Sequence, residues 1–108
     1  MALAPKFNQV VLGTGETSIL LPSGAMHIVQ SIDIANTTGV DKTFRLFAIL
    51  TAATAGSATN AFFYDVTVPA NGTINYAGPL NIPDGGELSG LASANPGVTV
   101  TVSYLEKN

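Results

Sequence analysis

Cysteine and tryptophan are absent and histidine occurs once, at position 27. Without cysteine no disulfide can staple the chain, so its stability must come from a packed core, and synthesis in a reducing compartment fits. One imidazole and no thiolate exclude the common zinc arrangements. Charge is almost as scarce. Asp, Glu, Lys and Arg make up 10% of residues, against about 25% in an ordinary soluble domain. The four basic residues, Lys6, Lys42, Arg45 and Lys107, form no run, and the formal net charge is −3. That balance argues against nucleic acid or an anionic membrane as partner. The longest apolar run, Leu46 to Leu50, is too short to cross a bilayer. Residues 1–6 lack the basic start and apolar stretch of an export signal. The expectation is a soluble chain made inside the cell.

What remains is abundant and ordered. At 108 residues with 46% hydrophobic content, one domain with a real core is expected. A folded chain of 11.0 kDa exposes roughly 5,600 Å². Eleven charged side chains, four basic and seven acidic, leave wide stretches of that area uncharged. Like charge is what keeps isolated domains apart in solution. A surface so lightly charged reads as one to be covered by neighbours.

Alternation with period 2 dominates and predicts an all-β domain. Val98 to Tyr104 is apolar at every even position and hydroxylated at every odd one. Met26 to Ala35 places Met26, Ile28, Ile32 and Ile34 on one face and His27, Ser31 and Asp33 on the other. Gln30 interrupts the apolar face and Val29 the polar one, the signature of a bulge. Between about 41 and 51, Phe44, Leu46, Ala48 and Leu50 share a face, while the opposite face turns apolar at Phe47 and Ile49. In the next strand Phe62, Tyr64, Val66 and Val68 read as the inner face, leaving Phe63 outside with Asp65 and Thr67. A strand apolar on both faces is usually covered on both. Phe47, Ile49 and Phe63, with Phe7 near the N-terminus, are therefore the expected partner-contact residues.

Turn chemistry punctuates these runs: Asn36-Thr37-Thr38-Gly39, Pro69-Ala70-Asn71-Gly72, Pro83-Asp84-Gly85-Gly86 and Asn95-Pro96-Gly97. Asn71-Gly72 is the strongest of the short hairpin signals. Thr51 to Asn60 holds only small residues and is the longest loop. About eight short strands at this spacing predict a single antiparallel β-sandwich or jelly-roll-like barrel over residues 14–108, with residues 1–13 as an N-terminal arm or edge strand.

Motifs that could carry chemistry are weak. Pro22 to His27 is similar to the Gly-and-His stretch of cupin jelly rolls, but such a site needs several imidazoles; His27 reads as a surface residue. Gly13-Thr14-Gly15-Glu16-Thr17-Ser18 lacks the lysine and the following helix of a phosphate loop, and reads as a hairpin turn. Asp84 and Glu87 flank a glycine turn and read as solvated acids rather than calcium ligands. Asp33, Asp41 and Asp65 have no sequence reason to converge. No Gly-x-Ser-x-Gly elbow exists, and one histidine without an evident acid partner disfavours a serine triad. Asn36-Thr37-Thr38 and Asn71-Gly72-Thr73 match the glycosylation pattern but read as turns. The aromatic set Phe7, Phe62, Phe63, Tyr64, Tyr76 and Tyr104 reads mainly as core, with a sugar-stacking platform as the alternative. Neither an enzyme nor a cofactor or metal site is expected.

The layout of Gly24 to Thr38, then Ala61 to Thr73, Gly78 to Ile82, Gly86 to Leu88 and the closing Val/Thr strand to Glu106 resembles small virion proteins of tailed bacteriophages. The resemblance covers most of residues 14–106 and carries no catalytic motif. It implies a β-sandwich structural subunit of the particle, a capsid cement or decoration protein above all. Such a subunit would act as a homo-oligomer, a trimer by preference, against the major capsid or other virion proteins. The alternatives are a tail, fibre or baseplate component and a carbohydrate-binding module.

Overall fold

The computed structural model describes residues 3–21, 24–50 and 55–107. Pro22 and Ser23 of the cupin-like stretch, and residues 51–54 of the small-residue loop, lie outside the described residues. Eight strands are present: β1 Leu3–Val11, β2 Thr17–Leu20, β3 Met26–Ala35, β4 Lys42–Ile49, β5 Ala61–Val68, β6 Thr73–Ile82, β7 Glu87–Ala92 and β8 Thr99–Lys107. They form two antiparallel four-stranded sheets, ordered β1-β8-β3-β6 and β2-β7-β4-β5. That double Greek-key order is the jelly roll. Residues 3–11 are the edge strand of the first sheet, and Leu12 just beyond them is fully buried.

The core lies between the sheets. Ile32, Ile34, Val100 and Val102 of the first sheet meet Phe44, Leu46, Leu88 and Val68 of the second, joined by Leu12, Ile19, Ile82 and Val98. Fully burying each such side chain contributes about 1.5–3 kcal/mol. Of the connections between consecutive strands, six cross from one sheet to the other; β4 and β5 alone are sequential neighbours in one ladder. The turns over 13–18 and 69–72 are therefore not hairpins. The Pro69–Gly72 turn forms as the residues dictate, with Asn71 at positive φ and the Gly72 N–H donating to the Pro69 carbonyl at 2.9 Å. The strands it joins then part to opposite sheets, because burying both apolar faces against each other outweighs local pairing.

Bulges decide which side chains are inside. Val29 pairs with Tyr104 and Ser31 with Ser103, so Gln30 is an insertion in β3. The alternation flips there: Ile32 and Ile34 face the core together with Val29 and His27, whereas Met26 and Ile28 turn outward. His27 is buried, 4% exposed, and is not the surface residue expected.

In β5, Phe44 pairs with Val66 and Leu46 with Phe63, so Arg45 alone on β4 faces both Tyr64 and Asp65. Asp65 takes φ +53°, a left-handed conformation that Asp tolerates better than most residues. The insertion turns Phe63 inward and Tyr64 outward, reversing the expected order. Phe63 is half-buried, its ring centroid 5.4 Å from Phe44, 5.0 Å from Phe62 and 5.8 Å from Tyr76. This aromatic cluster closes the margin between the β5 and β6 edges. At the opposite margin Asn8 Nδ2 donates to the Ile19 carbonyl at 2.6 Å, tying β1 to β2.

Phe47 and Ile49 point away from the central core, as their alternation requires, yet both are buried, at 2% and 1% exposure. Their cover comes from this chain. Gly56 lies against the Phe47 ring so closely that a Cβ there would stand 2.3 Å from Cδ2. Both Glu16 carboxylate oxygens accept the Gly56 N–H at 3.0 Å, and Ser89 Oγ donates to Glu16 at 2.6 Å. The expectation that Phe47 and Ile49 await a partner is corrected: both are buried within this chain, Phe47 beneath Gly56.

Candidate interaction surface

With Phe47 on the second sheet's outer face covered by Gly56, the broad surface to consider is the outer face of the first sheet. Register places Phe7 and Val11 of β1 beside Ser103 and Thr99 of β8, with Ser31, Asp33 and Ile28 of β3 and Asn75 and Ala77 of β6 continuing the row. On β8 the face is Thr99, Thr101 and Ser103, because the same β-branched alternation that feeds the core leaves hydroxyls on the other side; Met26, Ile28 and Leu105 add apolar side chains. Asp33 and Lys107 are its charged residues, and Asn75 Nδ2 donates to Asp33 at 2.6 Å. Phe7 is 75% exposed and Val11 56%. Of the four expected contact residues, Phe7 alone lies on this face. The face spans four strands of up to ten residues, roughly 30 Å by 19 Å, or on the order of 600 Å².

The remaining charges sit elsewhere and are mostly engaged. Lys6 Nζ lies 2.9 Å from Glu106 Oε1, and His27 Nε2 lies 3.4 Å from Glu106 Oε2, at the end of the sandwich where β1, β8 and β3 lie side by side. The Lys6 hydrogen bond, reinforced by the same cation's charge and opposed by partial burial, holds the Glu106 carboxyl below its ordinary range; His27 adds to the effect. His27 therefore has an acid partner that its sequence neighbours did not reveal. Its ring meets Tyr104 edge-on at 5.3 Å, and its Nδ1 has no hydrogen-bond partner.

Arg45 grips Asp65 through Nε at 2.7 Å and Nη2 at 3.1 Å, and its guanidinium lies 4.1 Å from the Tyr64 ring centre. That bidentate bond lowers the Asp65 pKa and raises that of Arg45. Asp41 accepts the Ala70 N–H at 2.9 Å, so Asp33, Asp41 and Asp65 serve three separate places. Glu87 accepts the Ser18 hydroxyl. Asn36 is 1% exposed and its amide donates to the carbonyls of Val40 and Val68, at 2.7 and 3.1 Å. It is a loop-pinning residue. Among the described residues no three His, Asp or Glu side chains converge as metal ligands.

Sequence reasoning missed the Arg45–Asp65–Tyr64 group. It depends on a one-residue insertion, and the only trace in sequence is a carboxylate amid an aromatic and β-branched run. No helix among the described residues is long and apolar enough to cross a membrane. Comparison of the chain with protein-family models, curated proteins and solved structures gives no match.

Proposed function

We propose that this chain is a non-enzymatic structural subunit of a tailed-bacteriophage virion, a capsid cement protein that self-associates and docks on the shell through the outer face of its first sheet. One observation carries the reading: four strands present a broad, flat face with a single carboxylate in its interior. Hydroxyl and apolar groups lose little on desolvation when they meet a matching surface, whereas charges would have to be stripped of water. An area on the order of 600 Å² approaches the roughly 800 Å² per partner of a stable interface. The sequence resemblance to small phage virion proteins supplies the particle, the trimeric preference and the shell as partner.

The test is reconstitution. Particles lacking the protein should bind it in many copies and withstand higher temperature afterwards. Ser103→Glu, which plants a charge in the middle of the face, should abolish addition while leaving the monomer's unfolding midpoint nearly unchanged. Addition of the variant at wild-type level would refute the docking face. Binding of a few copies at one end of the particle would instead assign a tail position.

A further inference from the structure

The second sheet carries a built depression that the assembly reading does not use. Its outer face holds a cleft of about 350 Å³. Phe44, Leu91 and Ala92 line it with Thr14, Thr43 and Ser93, and Arg45 and Asp65 complete the lining. Ser93 Oγ accepts the Thr43 N–H at 3.0 Å, fixing that wall. The volume lies at the small end of the usual ligand-site range, about 300–1,000 Å³.

The bulge in β5 gives this place its character. Plain alternation would put Tyr64 in the core with Val66 and Val68. The insertion opposite Arg45, with Asp65 at φ +53°, turns Tyr64 outward instead, 48% exposed, beside Arg45 and Asp65. Bulges commonly re-aim side chains at functional places, and a left-handed non-glycine residue persists only where its surroundings enforce it. The result is an exposed aromatic ring next to a locked cation–anion pair.

Donor and acceptor arithmetic selects the ligand. A guanidinium offers five N–H groups and a carboxylate about four lone-pair sites. The Arg45–Asp65 pair consumes two of each. Donors and acceptors are both left over, side by side, at no net charge. An anion would have to compete with Asp65 for Arg45, and a cation with Arg45 for Asp65. Vicinal hydroxyls, each able to donate and accept, can use the remainder without breaking the pair; the Tyr64 ring, one face of it under the Arg45 guanidinium, borders that pair without lining the cleft. We infer that this cleft binds a neutral saccharide of one or two rings. The cleft lies on the sheet opposite the proposed docking face, and the inference does not depend on that face.

The experiment is titration of the ¹⁵N-labelled chain with glucose, galactose, mannose, N-acetylglucosamine and lactose, with sodium phosphate in parallel. At least one sugar should produce saturable amide shifts at Thr43, Arg45, Asp65 and Ser93 at millimolar concentration. Asp65→Asn, which tolerates the same backbone conformation, should weaken that response at least tenfold while the rest of the spectrum stays in place. Tyr64→Ser should weaken it likewise, and carries the test if the Asn variant does not fold. Absence of a saturable shift with every sugar would overturn the inference. So would an equal response in a folded variant, or a phosphate response as strong as that of any sugar.

Discussion

Phe47 and Phe7 show how little a residue's type says about its burden. Both are phenylalanines on strand positions that face away from the central core. Phe47 is 2% exposed beneath Gly56, and Phe7 is 75% exposed. Phe47→Ala should therefore destabilise the chain by about 3–5 kcal/mol, and Phe7→Ala should stay within about 0.5 kcal/mol, as read from urea denaturation midpoints. A small effect at Phe47 would mean that Gly56 does not cover it in solution. The direction in which Phe47 and Ile49 point was legible from alternation with Phe44 and Leu46. The cover of Phe47 was not, because Gly56 carries no hydrophobic pattern and acts by lacking a side chain, which lets its backbone approach the ring. His27 is the converse case. Its burial was encoded by Gln30 and Val29 breaking the two faces, but a bulge read in sequence does not say which half of the strand keeps the core.

At the scale of an element, β1 is an edge strand, held by its ladder to β8, by the Lys6–Glu106 pair and by the Asn8–Ile19 bond to β2. The Glu106 carboxyl is held below its ordinary value of 4.5. Its contribution is therefore complete above that value and fades as pH falls through the lowered one. The Lys6 ammonium is raised from 10.5, so its share is complete below that value and fades as pH climbs past it. Hydrogen exchange corrected for intrinsic rates should show β1 amides losing protection in acid before those of β3, and Glu106→Gln should remove that difference. Equal acid sensitivity of both strands would mean the pair does not pin the edge. The effect should be small, since a half-exposed ammonium is well screened. Strand positions of this kind were readable from period and punctuation. Strand partners were not: Asn71-Gly72 announces a turn, but nothing local tells whether the chain returns beside itself or crosses to the facing sheet.

For the whole molecule, the scarcity of charge visible in the composition became a location only once two sheets were in place. Asp33 and Lys107 are what the outer face of the first sheet carries, and the other described charges lie at loops, at the sandwich ends or on the second sheet. Self-association through such a face should be nearly indifferent to ionic strength. Raising sodium chloride from about 0.05 M to about 0.5 M shortens the screening length severalfold. Sedimentation equilibrium should nevertheless return an association constant unchanged within about twofold. A steep fall with salt would point to the charged loops as the contact.

The order of the ladders also governs how the protein can be born. β8 lies between β1 and β3 in the first sheet, and of the eight described strands it is synthesised last. Until Thr99–Lys107 emerges, β1 has no neighbour to bond, and Val29, Ile32 and Ile34 face half a sandwich. Completion of the sandwich thus waits on β8, and a polypeptide interrupted before residue 99 is left with apolar strands uncovered, a ready substrate for chaperones and proteases.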